Sequence, residues 1–446
     1  MRIAFINWSA RKFSGAEVYL DLVMPALARL GHQVALFCEY DQPADRRRIA
    51  TPDCSPLWLA ESDGAERALA EMQAWKPELL FSQGLTRPEL ELRTLAMAPA
   101  LLLSHNYQGT CISGDKAFKL PTPRPCDRRF GWQCLLQFYP RRCGGLSPVT
   151  MSRLYRLNVT RQDVLRRYRM IMTISEHMRQ EYLRHGFAPD AVRVVSSPIW
   201  SDEGESNGVG HDLSDGQDVS DGQILSDSVD RRVPCTSDEE WRLLLAGRMV
   251  ALKGGAIALA ALPAVARILD RRVRLIFAGD GPERAAWEKA ARRVERDNPR
   301  VAVEFNDWLD GPRFQALAAT THLVVMPSLW PEPFGLIGPE AGLSGVPSAA
   351  FAVGGIPEWL RDGVNGHLAP ADPPSAAGLA AAIVRCLREP EEYSRLCAGA
   401  LTAARAFSVK EHIRRLTEIF SEVSDSREVG DSRNDAHLQP AADSAD

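Results

Sequence analysis

One order of parts occurs twice in this chain, and that repetition limits its fold more than any other feature. In the first half an apolar run at 3–7 leads to a loop with Ser14-Gly15, a helical pattern over 16–30 and a second apolar run at 33–37. In the second half a run at 242–246 leads to Lys253-Gly254-Gly255, a helical pattern over 258–268 and a run at 274–278. The two helices share a phrase, Pro25-Ala-Leu-Ala-Arg-Leu30 and Pro263-Ala-Val-Ala-Arg-Ile268. Short strands alternating with helices predict parallel sheets built from βαβ units. Further strands are expected at 78–82, 100–104, 170–174 and 192–195, then at 301–305, 323–327 and 348–351. Nearly continuous apolar runs suit strands covered on both faces. Sheets of this kind bind ligands beyond the carboxyl ends of their strands, so functional residues are sought just after strands.

The halves are separated by a stretch of different composition. From Asp202 to Glu240 there are twelve Asp/Glu against two Arg, and Ser-Asp-Gly-Gln repeats at 214–217 and 220–223. Such a segment buries too little apolar surface to offset its ordering entropy, and 201–238 is expected to be disordered. The acidic tail at 422–446 is expected to be disordered as well. The 446 residues exceed a single ordinary core. The expected domains are 1–200, containing a Cys/Arg-rich segment at 106–150, and 239–406, with a closing helix at 407–421 that returns to the first domain. The opening Met1-Arg2-Ile3-Ala4-Phe5 reads as a strand and not as an export leader. No uninterrupted apolar stretch is expected to span a bilayer. Nine cysteines, an odd count, then suit reduced thiols in a cytoplasm. A net charge of -4 gives no overall pull toward nucleic acid.

Several strand ends carry residues suited to chemistry. The Ser14-Gly15 loop opens a helix, whose free N–H groups attract anions; an ordinary βα turn fits as well. No Gly-x-Gly-x-x-Gly is present there, which argues against a dinucleotide enzyme. Gly247-Arg248 and Lys253-Gly254 place a guanidinium, an ammonium and a glycine turn after one strand, a set suited to a diphosphate; two solvated surface charges are the alternative. Glu332 and Glu340 stand eight apart with Phe334-Gly335 between them. If a helix starts at Gly335, its N–H groups and the two carboxylates meet the vicinal hydroxyls of a ribose or a hexose; two exposed surface glutamates are the alternative. Gly354-Gly355 permits close backbone approach to a ligand or makes a tight turn. His105 is suited to a sugar hydroxyl or to proton transfer, or caps a structural turn.

Taken together, Ser14-Gly15-Ala16-Glu17, His105, Gly247-Arg248, Lys253-Gly254, Gly279-Asp280-Gly281-Pro282, Glu332-x7-Glu340 and Gly354-Gly355-Ile356-Pro357-Glu358 resemble glycosyltransferase family four. The resemblance implies an α/β GT-B fold, two Rossmann-like parallel-sheet domains facing across a cleft. It implies a retaining glycosyltransferase that moves a sugar from a nucleotide-diphosphate donor to a glycan, lipid-linked or small-molecule acceptor. Arg248 and Lys253 would hold the diphosphate, Glu340 the ribose, and Glu332 the transferred sugar with backbone near Phe334 and Gly335. Ser14 and Gly15 would approach the diphosphate, and His105 would line the acceptor side near the reacting carbon. Gly247, Gly281, Gly354 and Gly355 complete the donor-binding set. The resemblance implies no divalent metal. Two departures stand out. Where the connector of the family carries Pro-Asn-Gly, this chain reads Ser196-Ser-Pro-Ile-Trp200. Where a glycine marks the base pocket, it reads Asn306-Asp307-Trp308. A non-catalytic nucleotide-sugar-binding scaffold and a GT-B nucleotide-sugar epimerase or phosphorylase are the competing readings.

Cys111, Cys126, Cys134 and Cys143 share one loop-like segment, as weak candidate zinc ligands or as loose thiols. Around them, Lys116 to Arg184 holds fifteen Lys/Arg against four Asp/Glu. Arg128-Arg129-Phe130-Gly-Trp132 and Phe138-Tyr139-Pro-Arg141-Arg142 mix cations with aromatics. That region, 116–184, suits peripheral contact with the inner face of a membrane or a solvated face. No nucleic-acid motif accompanies it.

Overall fold

The computed structural model describes residues 1–12, 15–42, 46–199 and 240–434, with side chains described as far as Val423. Ser14, Trp200, the expected insert at 201–238 and residues 435–446 lie outside the described residues. The rest forms two parallel α/β sheets, as the alternating pattern predicts.

The first sheet is built from β1 (Arg2–Ser9), β2 (Gln33–Tyr40), β3 (Leu57–Leu59), β4 (Leu79–Ser82), β5 (Ala100–Ser104), β8 (Met170–Thr173) and β9 (Val192–Val194). Its order is β3-β2-β1-β4-β5-β8-β9. A small antiparallel hairpin, β6 (Ala117–Phe118) and β7 (Arg124–Pro125), stands apart from it. Its helices are α1 (Gly15–Arg29), α2 (Ala65–Trp75), α3 (Pro88–Leu95), α4 (Gln133–Phe138), α5 (Pro148–Leu165) and α6 (Glu176–Arg184). The second sheet holds β10 (Trp241–Ala246), β11 (Val273–Ala278), β12 (Val301–Asn306), β13 (Leu323–Met326), β14 (Ser348–Phe351) and β15 (Gly366–Ala369), ordered β12-β11-β10-β13-β14-β15. Its helices are α7 (Gly255–Leu269), α8 (Arg284–Asp297), α9 (Gly311–Ala319), α10 (Ile337–Gly342), α11 (Ile356–Trp359), α12 (Ala376–Leu387) and α13 (Pro390–Arg405), and α14 (Val409–Asn434) ends the described chain.

Burial explains both sheets. Ile3, Ala4, Phe5 and Ile6 of β1 are all fully buried, as are Leu243 and Leu244 of β10. Each large aliphatic side chain so covered contributes about 1.5–3 kcal/mol relative to exposure. The segment Ala251–Leu269 is long and apolar enough to cross a bilayer on length and composition alone, although Lys253 and Arg267 interrupt its apolar run. In the structure it contains α7, which buries Ala258, Leu259, Leu262, Val265 and Ala266 on one stripe. That helical spacing marks a core helix packed on a sheet.

Contacts group the chain into two compact units. The first comprises Met1–Leu103, Val164–Met172 and the chain from Lys410; the second comprises Ser104–Asp163 and Thr173–Val409. Within the first unit α14 is anchored by Tyr19, whose hydroxyl meets His412 Nε2 at 2.7 Å, and by Phe420 edge-on to Phe81. This is the closing helix expected at 407–421, but it does not stop there. No proline lies between Ser421 and Asn434, and the helix extends to Asn434, past the expected end at Ser421.

Candidate active site

In the second sheet β10 lies between β11 and β13, so the chain builds outward in one direction and then in the other. The loops after β10 and β13 flank that switch point, the position where parallel sheets take ligands. They carry Arg248 and Lys253 on one side and Glu332 and Glu340 on the other. Backbone bonds knit the β10 loop to its β11 neighbour. Gly247 N–H donates to Ala278 O at 2.9 Å, and Met249 N–H to Asp280 O at 2.8 Å. A Cβ on Gly281 would sit 2.4 Å from Met249 O, so this glycine serves loop packing. Nothing lies within 4 Å of where a Cβ on Gly247 would be. Arg248, next to that open space, is exposed and forms no ion pair among the described residues.

Lys253 closes a single 3-10 turn, Ala251–Lys253, capped by Gly254. Gly254 has φ +72°, and a Cβ there would fall 1.9 Å from Pro327 O, so only glycine lets the two loops meet. Leu329 N–H donates to Leu252 O at 2.7 Å and seals the contact. The functional join follows. Lys253 Nζ donates to Glu332 Oε1 at 2.5 Å, and Ser328 Oγ donates to the same oxygen at 2.5 Å. Glu332 is buried, and Lys253 also stands 5.6 Å over the Trp330 ring. Both bonds to this carboxylate end on Oε1, and Oε2 has no partner among the described residues. Burying an ion pair costs desolvation that good geometry must offset. A carboxylate held by one oxygen and open at the other is suited to accept a ligand hydroxyl.

Tyr107 was not singled out by sequence reasoning. It is fully buried, donates to Pro331 O at 2.8 Å and meets Trp330 edge-on at 6.3 Å. It thereby ties the His105 segment, just after β5, to the loop that carries Glu332. Burial pushes the Tyr107 hydroxyl pKa well above its ordinary value, with smaller contributions from Glu181 and Glu332. The Trp330 indole N–H is shielded from solvent without an acceptor among the described residues.

Glu340 lies in α10, which begins at Ile337, two residues later than a start at Gly335. Gly335 instead belongs to the turn before it, where the Trp359 indole N–H donates to Phe334 O at 2.7 Å. Phe334 is buried edge-on to Phe407. The Glu340 carboxyl has no hydrogen-bond partner among the described residues. Desolvation pushes its pKa up to about 7.

Gly354 and Gly355 are placed beneath Glu332 rather than beside open space. Gly354 has φ +57°, with Glu332 O 2.2 Å from the position of an added Cβ, and Gly355 N–H donates to Glu332 O at 2.7 Å. Glu358 serves a different purpose. Its carboxylate accepts from Glu176 N–H and His177 N–H, each at 2.7 Å, and so caps α6. Burial raises its pKa, and the two amide bonds pull the other way.

In the first unit, β1 lies between β2 and β4, a second switch point. Gly15 opens α1 there, and Trp8 Nε1 donates to Glu17 Oε1 at 2.9 Å. Two further residues at these strand ends escaped sequence reading. Asn7 Oδ1 and both polar atoms of the Gln83 side chain are shielded from solvent without a partner among the described residues. Buried polar groups are normally hydrogen-bonded, so each calls for an explanation. Gln83 directly follows β4 and Asn7 lies near the carboxyl end of β1, and that placement was the available signal.

Cys111, Cys126, Cys134 and Cys143 are free thiols. Cys126, Cys134 and Cys143 pack on one apolar cluster with Phe118, Phe130 and Phe138. Burial pushes the Cys143 thiol up to about 12, reinforced by the other three sulfurs. Among the described residues no three His, Cys, Asp or Glu side chains are placed to hold a metal ion.

The family described as glycosyl transferases group 1 matches residues 240–389, and the glycosyl transferase 4-like domain matches residues 14–198. A D-inositol 3-phosphate glycosyltransferase of Thermomonospora curvata is 29% identical over 266 residues, 58% of this chain and 58% of that protein. An uncharacterized glycosyltransferase of Methanocaldococcus jannaschii is 32% identical over 149 residues, 33% of this chain and 36% of that one. The chain thus spans less than two thirds of either relative. A crystal structure of Anabaena HepE with UDP and glucose shares the fold, with TM-score 0.59 and 18% identity over 95% of this chain and 100% of that one.

Proposed function

From the premise that the chain belongs to the glycosyl transferases of group 1 and the 4-like class, we propose that it moves a sugar from a nucleotide diphosphate to an acceptor hydroxyl with retention. The observation that carries this reading is the carboxylate of Glu332, saturated at Oε1 by Lys253 and Ser328 and open at Oε2. A sugar hydroxyl completes it, while Arg248 and Lys253 meet the diphosphate. The Anabaena protein of the same fold, crystallised with UDP and glucose, supports a nucleotide-sugar donor.

In this reading the acceptor oxygen bonds to the anomeric carbon from the face the leaving group occupies. The bond between that carbon and the diphosphate oxygen breaks, and the diphosphate keeps the electron pair. The hydroxyl proton passes to the departing phosphate. Cations beside that oxygen stabilise charge that develops only in the transition state, the most effective use of electrostatics. Glu340 accepts from the ribose, and Gly15 approaches the diphosphate. His105 lines the acceptor side. These side chains do the work without a divalent metal. The acceptor is a glycan, a lipid-linked or a small hydroxyl compound, reached from the cytoplasm, with any membrane contact made through the basic 116–184 region.

A panel of nucleotide sugars, assayed with chelator present, tests the proposal. One donor is expected to raise the melting temperature and to be turned over with retention. Glu332→Ala should keep nucleotide binding and lose roughly 100–1,000-fold in kcat. Full activity in Glu332→Ala, or binding without turnover of any donor, would favour the scaffold reading. Interconversion of donors without an acceptor would favour an epimerase.

A further inference from the structure

The segment between β5 and α5 contains a helix that is apolar on two sides. The inner side of α4 is Phe138, fully buried, with Leu135 packed beside it on the Phe118 and Phe130 cluster. The outer side is Trp132, Leu136 and Tyr139, spaced four and then three residues apart and therefore on one face. These are 63%, 62% and 36% exposed. The following chain returns onto the Phe138 ring at Gly144 and then shows Leu146 and Val149 to solvent, at 65% and 76% exposure. A soluble helix ordinarily turns its polar face outward; this one has only Gln133 and Gln137 as polar side chains and carries no charge of its own.

The charges around this face share one sign. Residues 116–156 contain nine Lys/Arg and one acidic residue, Asp127. Arg124, Arg128, Arg129, Arg142, Arg153 and Arg156 are exposed, and none forms an ion pair among the described residues. The segment is nevertheless firmly seated. Lys116 and Glu181 form a buried ion pair, Lys116 Nζ donates to Arg128 O at 2.5 Å, and Phe130 N–H donates to His185 Nε2 at 2.8 Å. The patch is therefore presented on a fixed base and not on a loose loop.

We propose that the outer face of α4, with Leu146, Val149 and the surrounding arginines, docks on an anionic membrane surface. Exposed tryptophan and leucine side chains enter the acyl boundary while unpaired cations remain at the headgroups. Aliphatic side chains at this exposure gain nothing from a nucleic-acid backbone, which rewards cations and stacking rings instead. A cationic rim with a single acidic residue matches a plane of uniform negative charge. The inference does not depend on the sugar-transfer reading, because it uses none of that site's residues.

Co-sedimentation of the full chain with vesicles tests it. Binding is expected with phosphatidylcholine mixed with phosphatidylglycerol, absent with phosphatidylcholine alone, and weakened by salt. Trp132→Ser combined with Leu136→Ser should lower partitioning at least about tenfold, since both side chains leave the bilayer. Arg128→Glu with Arg129→Glu and Arg142→Glu should abolish it. These side chains are exposed, so the variants should keep the wild-type circular dichroism and nucleotide affinity. The proposal is overturned if the serine variant binds like wild type or if charge reversal has no effect. Equal binding to neutral and anionic vesicles, or to neither, overturns it too. So does a wild-type dimer that Trp132→Ser dissolves, since the face would then cover a second copy.

Discussion

Replacing Glu340 with Gln should stabilise the protein, and by an amount that depends on pH. The carboxyl has no hydrogen-bond partner among the described residues, and desolvation moves its pKa from the ordinary 4.5 to about 7. A folded-state pKa above the unfolded one means that the native state holds its proton more tightly. Native stability from this group is therefore complete below pH 4.5 and is lost as pH rises through 7. One pKa step corresponds to about 1.4 kcal/mol, so the loss is at most about 3–4 kcal/mol. Gln is close in shape and cannot ionise, so the advantage of the variant should be small near pH 5 and approach that figure at pH 8. Urea unfolding of both proteins across this range measures it. An advantage that does not grow between pH 5 and pH 8 would refute the reasoning. The same carboxylate accepts ribose hydroxyls in the proposed function, so the stabler variant should bind nucleotide less well. A residue that weakens the fold where it serves a ligand is a common bargain in binding sites.

Glu358→Ala removes both acceptors for the first amides of α6 and should cost about 1–2 kcal/mol, read as lower thermal stability and faster hydrogen exchange at Glu176 and His177. Gly354→Ala puts a Cβ 2.2 Å from Glu332 O at a positive φ, so it should displace Glu332 and lose at least about 1–3 kcal/mol of stability together with activity. Wild-type stability in that variant would mean that the loop has room which the structure does not show.

The strand grammar was legible because buried parallel strands are written as apolar runs. β5 and β14 fall at the expected residues, and most others differ by one or two at their ends. What was missed is short or lies at an edge. β3 is three residues long, and β15 reads Gly-His-Leu-Ala, too brief and mixed to show a period. The cation and glutamate motifs were legible from their position after strands. Their pairing was not, because Lys253 and Glu332 stand 79 residues apart and meet only through the β10–β13 neighbourhood. Glu358 sat in a motif whose chemistry suggested a ligand, whereas its partners are amides of α6, 182 and 181 residues away in sequence. Tyr107 and Gln83 carried no spacing signal. Their roles depend on which buried polar atoms find partners, a property of the packed chain alone.

The bond between Lys253 and Glu332 also bears on selectivity. Each neutralises the other, so a stray inorganic anion arriving at Lys253 must pull it from a buried carboxylate and leave that carboxylate with one hydroxyl for company. An anion that brings hydroxyl groups of its own replaces what it takes. Under the proposed function a visitor must therefore present charge and sugar together, and spent nucleotide, stripped of the sugar, would have less to hold it.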